Sequence, residues 1–131
     1  MLEPNPWLVA SSLFFLIPTT INAIKDQWSL YTVNVSVVFI SSLYHATKIV
    51  PLFYVDIVAA NSLALIHLVY TIESHVRWIT ILDILYCIFL FYYGYARKKF
   101  VWDVRTSHAT FYHVLMHLSV ITSATAVALL S

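Results

Sequence analysis

The run ILYCIFLFYY, residues 84–93, decides the class of fold. A strand of a membrane barrel would alternate polar and apolar residues over about ten positions, and this run does not alternate. An apolar segment of about 20 residues instead predicts a helix that crosses the hydrocarbon core of a bilayer. Dividing the chain at its charged residues yields five such segments. We therefore expect an all-α, polytopic membrane helix bundle forming one domain, residues 1–131, with spans near 7–24, 28–48, 52–72, 76–96 and 105–130.

The composition supports a membrane location. Of the 131 residues, 61% are hydrophobic and 10% are charged, and the mean hydropathy is +0.83. Soluble domains carry about 25% charged residues, so this chain would lack the polar surface that water requires. The net charge of +1 gives no argument for nucleic-acid binding. The single cysteine, Cys87, excludes a disulfide within the chain.

The distribution of basic residues predicts an orientation. Five spans place the N-terminus, the 2–3 connection and the 4–5 connection on one side of the membrane, and that side holds Lys48, Arg97, Lys98, Lys99 and Arg105. The opposite side holds Lys25 and Arg77. By the positive-inside rule, the N-terminus is expected in the cytoplasm and the C-terminus outside. Pro18 lies inside the first span and is expected to kink it.

The stretch SSLYHATKIVPLFYVD, residues 41–56, places His45 and Asp56 in apolar surroundings. Ionisable residues within membrane segments are costly and mark functional sites. The fifth helix begins on the same side of the membrane with SHATFYHVLMH, residues 107–117, in which His113 and His117 are four residues apart on one helical face. Three imidazoles with an open position are typical of a catalytic zinc site, and a nearby cation would keep Asp56 ionised at lower cost.

Structural explanations compete with the metal site. A single histidine within a membrane helix is more often a hydrogen-bonded packing residue, and an HxxxH pair alone is weak evidence. The placement of Ser41, His45, Asp56, His113 and His117 on one side favours the metal. Asp83 and His67 fall nearer the opposite side, and we expect them to pair with one another for structural reasons.

The order of these residues is similar to the CREST superfamily of membrane hydrolases and receptors, whose pattern is S-x3-H, Asp on the next helix, and H-x3-H on the last. The superfamily includes the alkaline ceramidases, the adiponectin and progestin receptors and hemolysin III-like proteins. The letters YHAT and the step of eleven residues from His45 to Asp56 most resemble alkaline ceramidase. Family members have seven core helices, whereas this chain has room for five. The last family motif often reads SH-x3-H, and here His108 precedes His113 by five, so His108 is a rival ligand.

The resemblance implies a Zn²⁺-dependent hydrolysis of a lipid amide such as a ceramide, with the substrate entering from the bilayer. His45, His113 and His117 would hold the zinc ion. Asp56 would orient the attacking water and take its proton, and Ser41 would hydrogen-bond the water or the developing oxyanion.

Other functions are open at this stage. The protein could be a non-catalytic receptor or scaffold with a structural metal, and zinc without turnover would favour that class. It could bind haem through His45 and either His113 or His117, and a Soret band would reveal this. It could also be an inactive remnant or a fragment.

Overall fold

The computed structural model describes residues 4–97 and 107–131, with the side chains of residues 107 and 108 outside that description. Within this part of the chain the structure is all-α, as predicted, and contains no strand. The helices are α1 (Pro6–Leu13), α2 (Leu16–Ile24), α3 (Trp28–Thr47), α4 (Val50–Thr71), α5 (Arg77–Ala96) and α6 (Ser107–Leu130). Their bounds lie within a few residues of the expected spans.

Helices α1 and α2 form one interrupted span, and Pro18 explains the interruption. Proline has no amide hydrogen, so Pro18 cannot donate to the carbonyl of Phe14 four residues earlier. That carbonyl instead accepts from the amide of Ile17 at 3.0 Å, and the amide of Phe15 donates to the carbonyl of Ser12 at 3.2 Å. These tighter turns separate the two helices where the sequence predicts a kink.

Four helices in the described part of the chain are long and apolar enough to cross a membrane, counting α1 and α2 as one span: Pro6–Ile24, Val50–Thr71, Arg77–Ala96 and Ala109–Leu130. Helix α3, the remaining predicted span, has 20 residues but falls outside this set. The lower hydropathy of α3, compared with the other four spans, comes from polar residues that face other helices. Asn34 and His45 are fully buried within the protein, and α3 packs against α1, α2 and α4. Polar residues that face protein avoid the cost of contact with lipid.

Hydrogen bonds between distant segments show which helix ends lie together. The amide of Asn5 donates to the carbonyl of His45 at 3.0 Å, and the Asn5 side chain donates to Thr110 at 3.0 Å. The start of α1, the end of α3 and the start of α6 therefore share one end of the bundle. At the other end, the Lys25 ammonium donates to the carbonyls of Ala128 and Leu129 at 2.7 and 3.0 Å. These contacts agree with the alternating direction expected of five consecutive helical segments, while the number of membrane crossings and the orientation in the membrane stay predictions.

Candidate metal centre

A tight turn between α3 and α4 brings His45 and Asp56 together. Lys48 ends α3 in the left-handed conformation, with φ 53° and ψ 30°, and Pro51 occupies the first turn of α4, where the missing amide hydrogen costs nothing. The chain therefore reverses within a few residues. As a result, the carboxylate Oδ2 of Asp56 lies 3.9 Å from Nε2 of His45.

The three predicted histidine ligands converge. The centroid of the His45 ring lies 5.0 Å from that of His113 and 5.6 Å from that of His117, and the centroids of His113 and His117 are 4.8 Å apart. One potential ligand nitrogen from each residue lies within 4.8 Å of the other two. Zn–N bonds of about 2.0–2.1 Å in a tetrahedral site require nitrogens about 3.4 Å apart, so small side-chain rotations complete the site. These three histidines could hold a metal ion.

The hydrogen bonding of His45 fits a ligand. The residue is fully buried, and its Nε2 has no hydrogen-bond partner among the described residues. The 3.9 Å separation from Asp56 is too long for a hydrogen bond. An unsatisfied buried nitrogen costs about 1–3 kcal/mol, and coordination of a cation would remove that cost.

A serine on α1 sets the tautomer of His117. The hydroxyl of Ser11 lies 2.7 Å from Nδ1 of His117 and also donates to the carbonyl of Leu8 at 3.2 Å. A carbonyl can only accept, so the single proton of Ser11 goes to Leu8 and the Nδ1–H of His117 donates to Ser11. This leaves a lone pair on Nε2 of His117, the form that binds metal.

The positive charge of Lys48 opposes the binding of a metal ion at this site. Its amine lies 2.9 Å from Nδ1 of His45 and 4.6 Å from the centre of the Tyr44 ring, and the side chain is buried. Burial lowers the pKa of the Lys48 amine to about 8, although the charge of Asp56 acts in the other direction. While the amine is charged, it repels a metal ion and donates a hydrogen bond to Nδ1 of His45. If His45 bound a metal through Nε2, its Nδ1 would carry a proton and could not accept that hydrogen bond.

The two predicted catalytic residues lie beside the histidines. Asp56 is only 6% exposed, and its carboxylate has Ser41 and Lys48 as polar neighbours. The hydroxyl of Ser41 lies 3.1 Å from that of Ser12 on α1. Asp56 is therefore close enough to act on a molecule bound at the histidines, and it is not one of the three clustered donors.

A cavity of about 490 Å³ opens from this centre into the space between α4, α5 and α6. Ser41, Asp56, His113 and His117 contribute to its wall, so a molecule inside it would contact the candidate metal centre. Most of the remaining wall is apolar, with residues that include Phe15, Val37, Leu63, Ile84, Phe91 and Val120. The cavity suits an apolar chain with a polar group at the histidine end.

The structure extends and corrects the expected site. Ser11, Ser12 and Lys48 were not predicted, although two adjacent serines in an apolar first span were the available signal. The expected pairing of Asp83 with His67 is wrong. Asp83 instead accepts from the hydroxyl of Ser119, and His67 bonds the carbonyl of Leu63. The rival ligand, His108, has its side chain outside the described residues.

Comparison with protein families, curated proteins and solved structures finds no match for this chain.

Proposed function

We propose that this protein is a zinc-dependent hydrolase that cleaves an amide bond in a membrane lipid. The observation that carries the proposal is the convergence of His45, His113 and His117, with their ligand atoms within 4.8 Å, beside the buried carboxylate of Asp56. The three histidines come from two helices far apart in the sequence. Packing alone would not require three imidazoles and a carboxylate at one point in an apolar bundle.

The donor set favours zinc among the common metals. Mg²⁺ and Ca²⁺ prefer oxygen ligands, whereas neutral imidazoles suit zinc and other transition metals. Catalytic zinc sites commonly combine three protein ligands with one open position. When bound, zinc would act as a Lewis acid that polarises a carbonyl and lowers the pKa of water to about 7.

The residues around the histidines have distinct tasks in this proposal. Asp56 accepts a proton from the attacking water while the oxygen of that water bonds to the amide carbon. Asp56 then delivers the proton to the amide nitrogen as the C–N bond breaks. Ser41 donates a hydrogen bond that orients the water or stabilises the negative charge developing on the carbonyl oxygen. Water is consumed, and the products are a carboxylic acid and an amine.

The cavity supports a lipid as the substrate. It has a volume of about 490 Å³, its wall is mostly apolar, and it meets the histidines at one end. A lipid chain could occupy the apolar part while its polar linkage reaches the metal centre. The choice of an amide rests on the resemblance of Ser41, His45, Asp56, His113 and His117 to the alkaline ceramidase pattern.

Zinc content and turnover of the purified full chain test the proposal together. We expect stoichiometric zinc by elemental mass spectrometry and release of fatty acid from a ceramide in mixed micelles. His113→Ala should lose both, whereas the matched variant His75→Ala, at an exposed position in the α4–α5 turn, should keep both.

Two results would contradict the proposal in different ways. Zinc without turnover of any lipid amide would support a scaffold with a structural metal, and a Soret band in place of zinc would support haem binding.

A further inference from the structure

A second polar group lies in the same cavity, away from the histidine cluster. His67 is only 3% exposed and lines the cavity from α4, eleven residues after Asp56. That separation corresponds to about 16 Å along the helix axis. The side chain of His67 therefore lies far beyond reach of a metal ion at His45, and the proposed hydrolysis does not use it.

The hydrogen bonds of His67 define what it can bind. Its Nδ1 lies 2.9 Å from the carbonyl oxygen of Leu63, which can only accept, so Nδ1 carries the proton. The other nitrogen, Nε2, then has a lone pair and no partner among the described residues. A buried acceptor of this kind is stabilised by a donor, and no residue within 4–97 and 107–131 donates to it.

Asp83 adds a second acceptor to the same wall. Its Oδ1 accepts from the hydroxyl of Ser119 at 2.5 Å and from the thiol of Cys87 at 3.8 Å, and the residue lines the cavity from α5. No ion pair joins Asp83 to His67 within residues 4–97 and 107–131. Two acceptors therefore face one apolar cavity, and neither satisfies the other.

We propose that His67 and Asp83 form a subsite for a hydroxyl group on the apolar chain of a bound lipid, with Nε2 of His67 as the principal acceptor. Because both groups accept, a hydroxyl that donates fits the subsite, whereas a carbonyl of the same size at the same place does not. This inference deepens the proposed function, on which it rests, by naming the substrate as a lipid with a hydroxyl distant from the bond to be cleaved.

A pair of matched probes tests the inference without any hydrolysis. Stearic acids that carry either a hydroxyl or a ketone at one mid-chain carbon are titrated into the purified, zinc-loaded full chain in detergent, and binding is measured by competition against a fluorescent fatty acid. We expect the hydroxylated probe to bind about tenfold more tightly than the ketone, because only the hydroxyl donates. Equal affinity of the two probes for the wild-type protein would overturn the inference.

Two variants locate the preference. His67→Phe keeps a flat ring of similar size and should reduce the preference for the hydroxyl to about twofold or less while retaining zinc. Met116→Leu alters an apolar residue of the same cavity and should leave the preference unchanged.

If His67→Phe still bound the hydroxylated probe about tenfold more tightly than the ketone, the assignment of His67 to the subsite would also be overturned. Because zinc content is read on the same samples, loss of the metal centre is distinguished from loss of the subsite.

Discussion

Ser11→Ala tests the architecture of the candidate metal centre most directly. Ser11 does not contact Nε2 of His117, the expected ligand atom, but its hydrogen bond to Nδ1 determines which nitrogen of that ring carries the proton. Its hydroxyl receives the Nδ1–H of His117 at 2.7 Å. Without it, the neutral ring of His117 is free to carry its proton on either nitrogen and to rotate. The form with a lone pair on Nε2, which binds metal, then leaves a buried N–H group unpaired.

The size of the effect follows from that unpaired group. A buried donor without a partner costs about 1–3 kcal/mol, and about 1.4 kcal/mol corresponds to a tenfold change in affinity. Removal of an outer hydrogen-bond partner of a metal-binding histidine typically weakens metal binding by about 10–100-fold. We therefore expect Ser11→Ala to weaken zinc binding by about 10–100-fold without removing a ligand.

The assay is a competition titration of purified protein in detergent against a chelator of known zinc affinity. Ser12→Ala is the matched control, because Ser12 is the next residue of α1 and also donates to the carbonyl of Leu8, but its other neighbour is Ser41. Zinc affinity of Ser12→Ala should stay within about twofold of wild type, since the variant leaves every histidine contact in place. Equal zinc affinities of the Ser11→Ala variant and the wild type would refute the reasoning.

Three further changes test other parts of the structure. Asp56→Asn should retain zinc and lower turnover of a lipid amide by about 10²–10⁴-fold, because the amide cannot accept the proton of water, and unchanged turnover would remove Asp56 from the proposed reaction. Lys48→Met should tighten zinc binding by about tenfold or more in the same chelator assay, because it removes a positive charge 2.9 Å from His45, and weaker binding would contradict this. Lys25→Met should destabilise the protein by about 0.5–1.5 kcal/mol in unfolding measurements while leaving zinc affinity unchanged. The carbonyl of Leu129 loses the Lys25 donor, whereas that of Ala128 keeps the Gln27 amide at 3.1 Å, and an unaltered stability would show that the contact contributes little.

Local patterns in the sequence were sufficient for the class of fold and for three histidines that the structure brings together, His45, His113 and His117. Runs of apolar residues specify helices in lipid because a bilayer leaves backbone groups no other partner. The spacing of His113 and His117 specifies one helical face. The short connection around Pro51 predicts His45 and Asp56 at one end of the bundle, and the count of helical segments predicts the start of the last helix at that same end. Pro18 specified the interruption between α1 and α2. Each of these inferences needs only helix periodicity or the chemistry of one residue.

Tertiary packing alone decided how the site is supported and what surrounds it. The contact of Ser11 with His117 joins residues 106 positions apart, and the packing of α1 against α6 makes it. Asp83 turned toward Ser119 rather than His67 because the rotation of α5 about its axis depends on its neighbours, which no periodicity specifies. The cavity has the same origin, since its walls come from several helices. Helix spacing assigns residues to an end and a face, whereas the partner that a side chain meets there depends on how the helices pack.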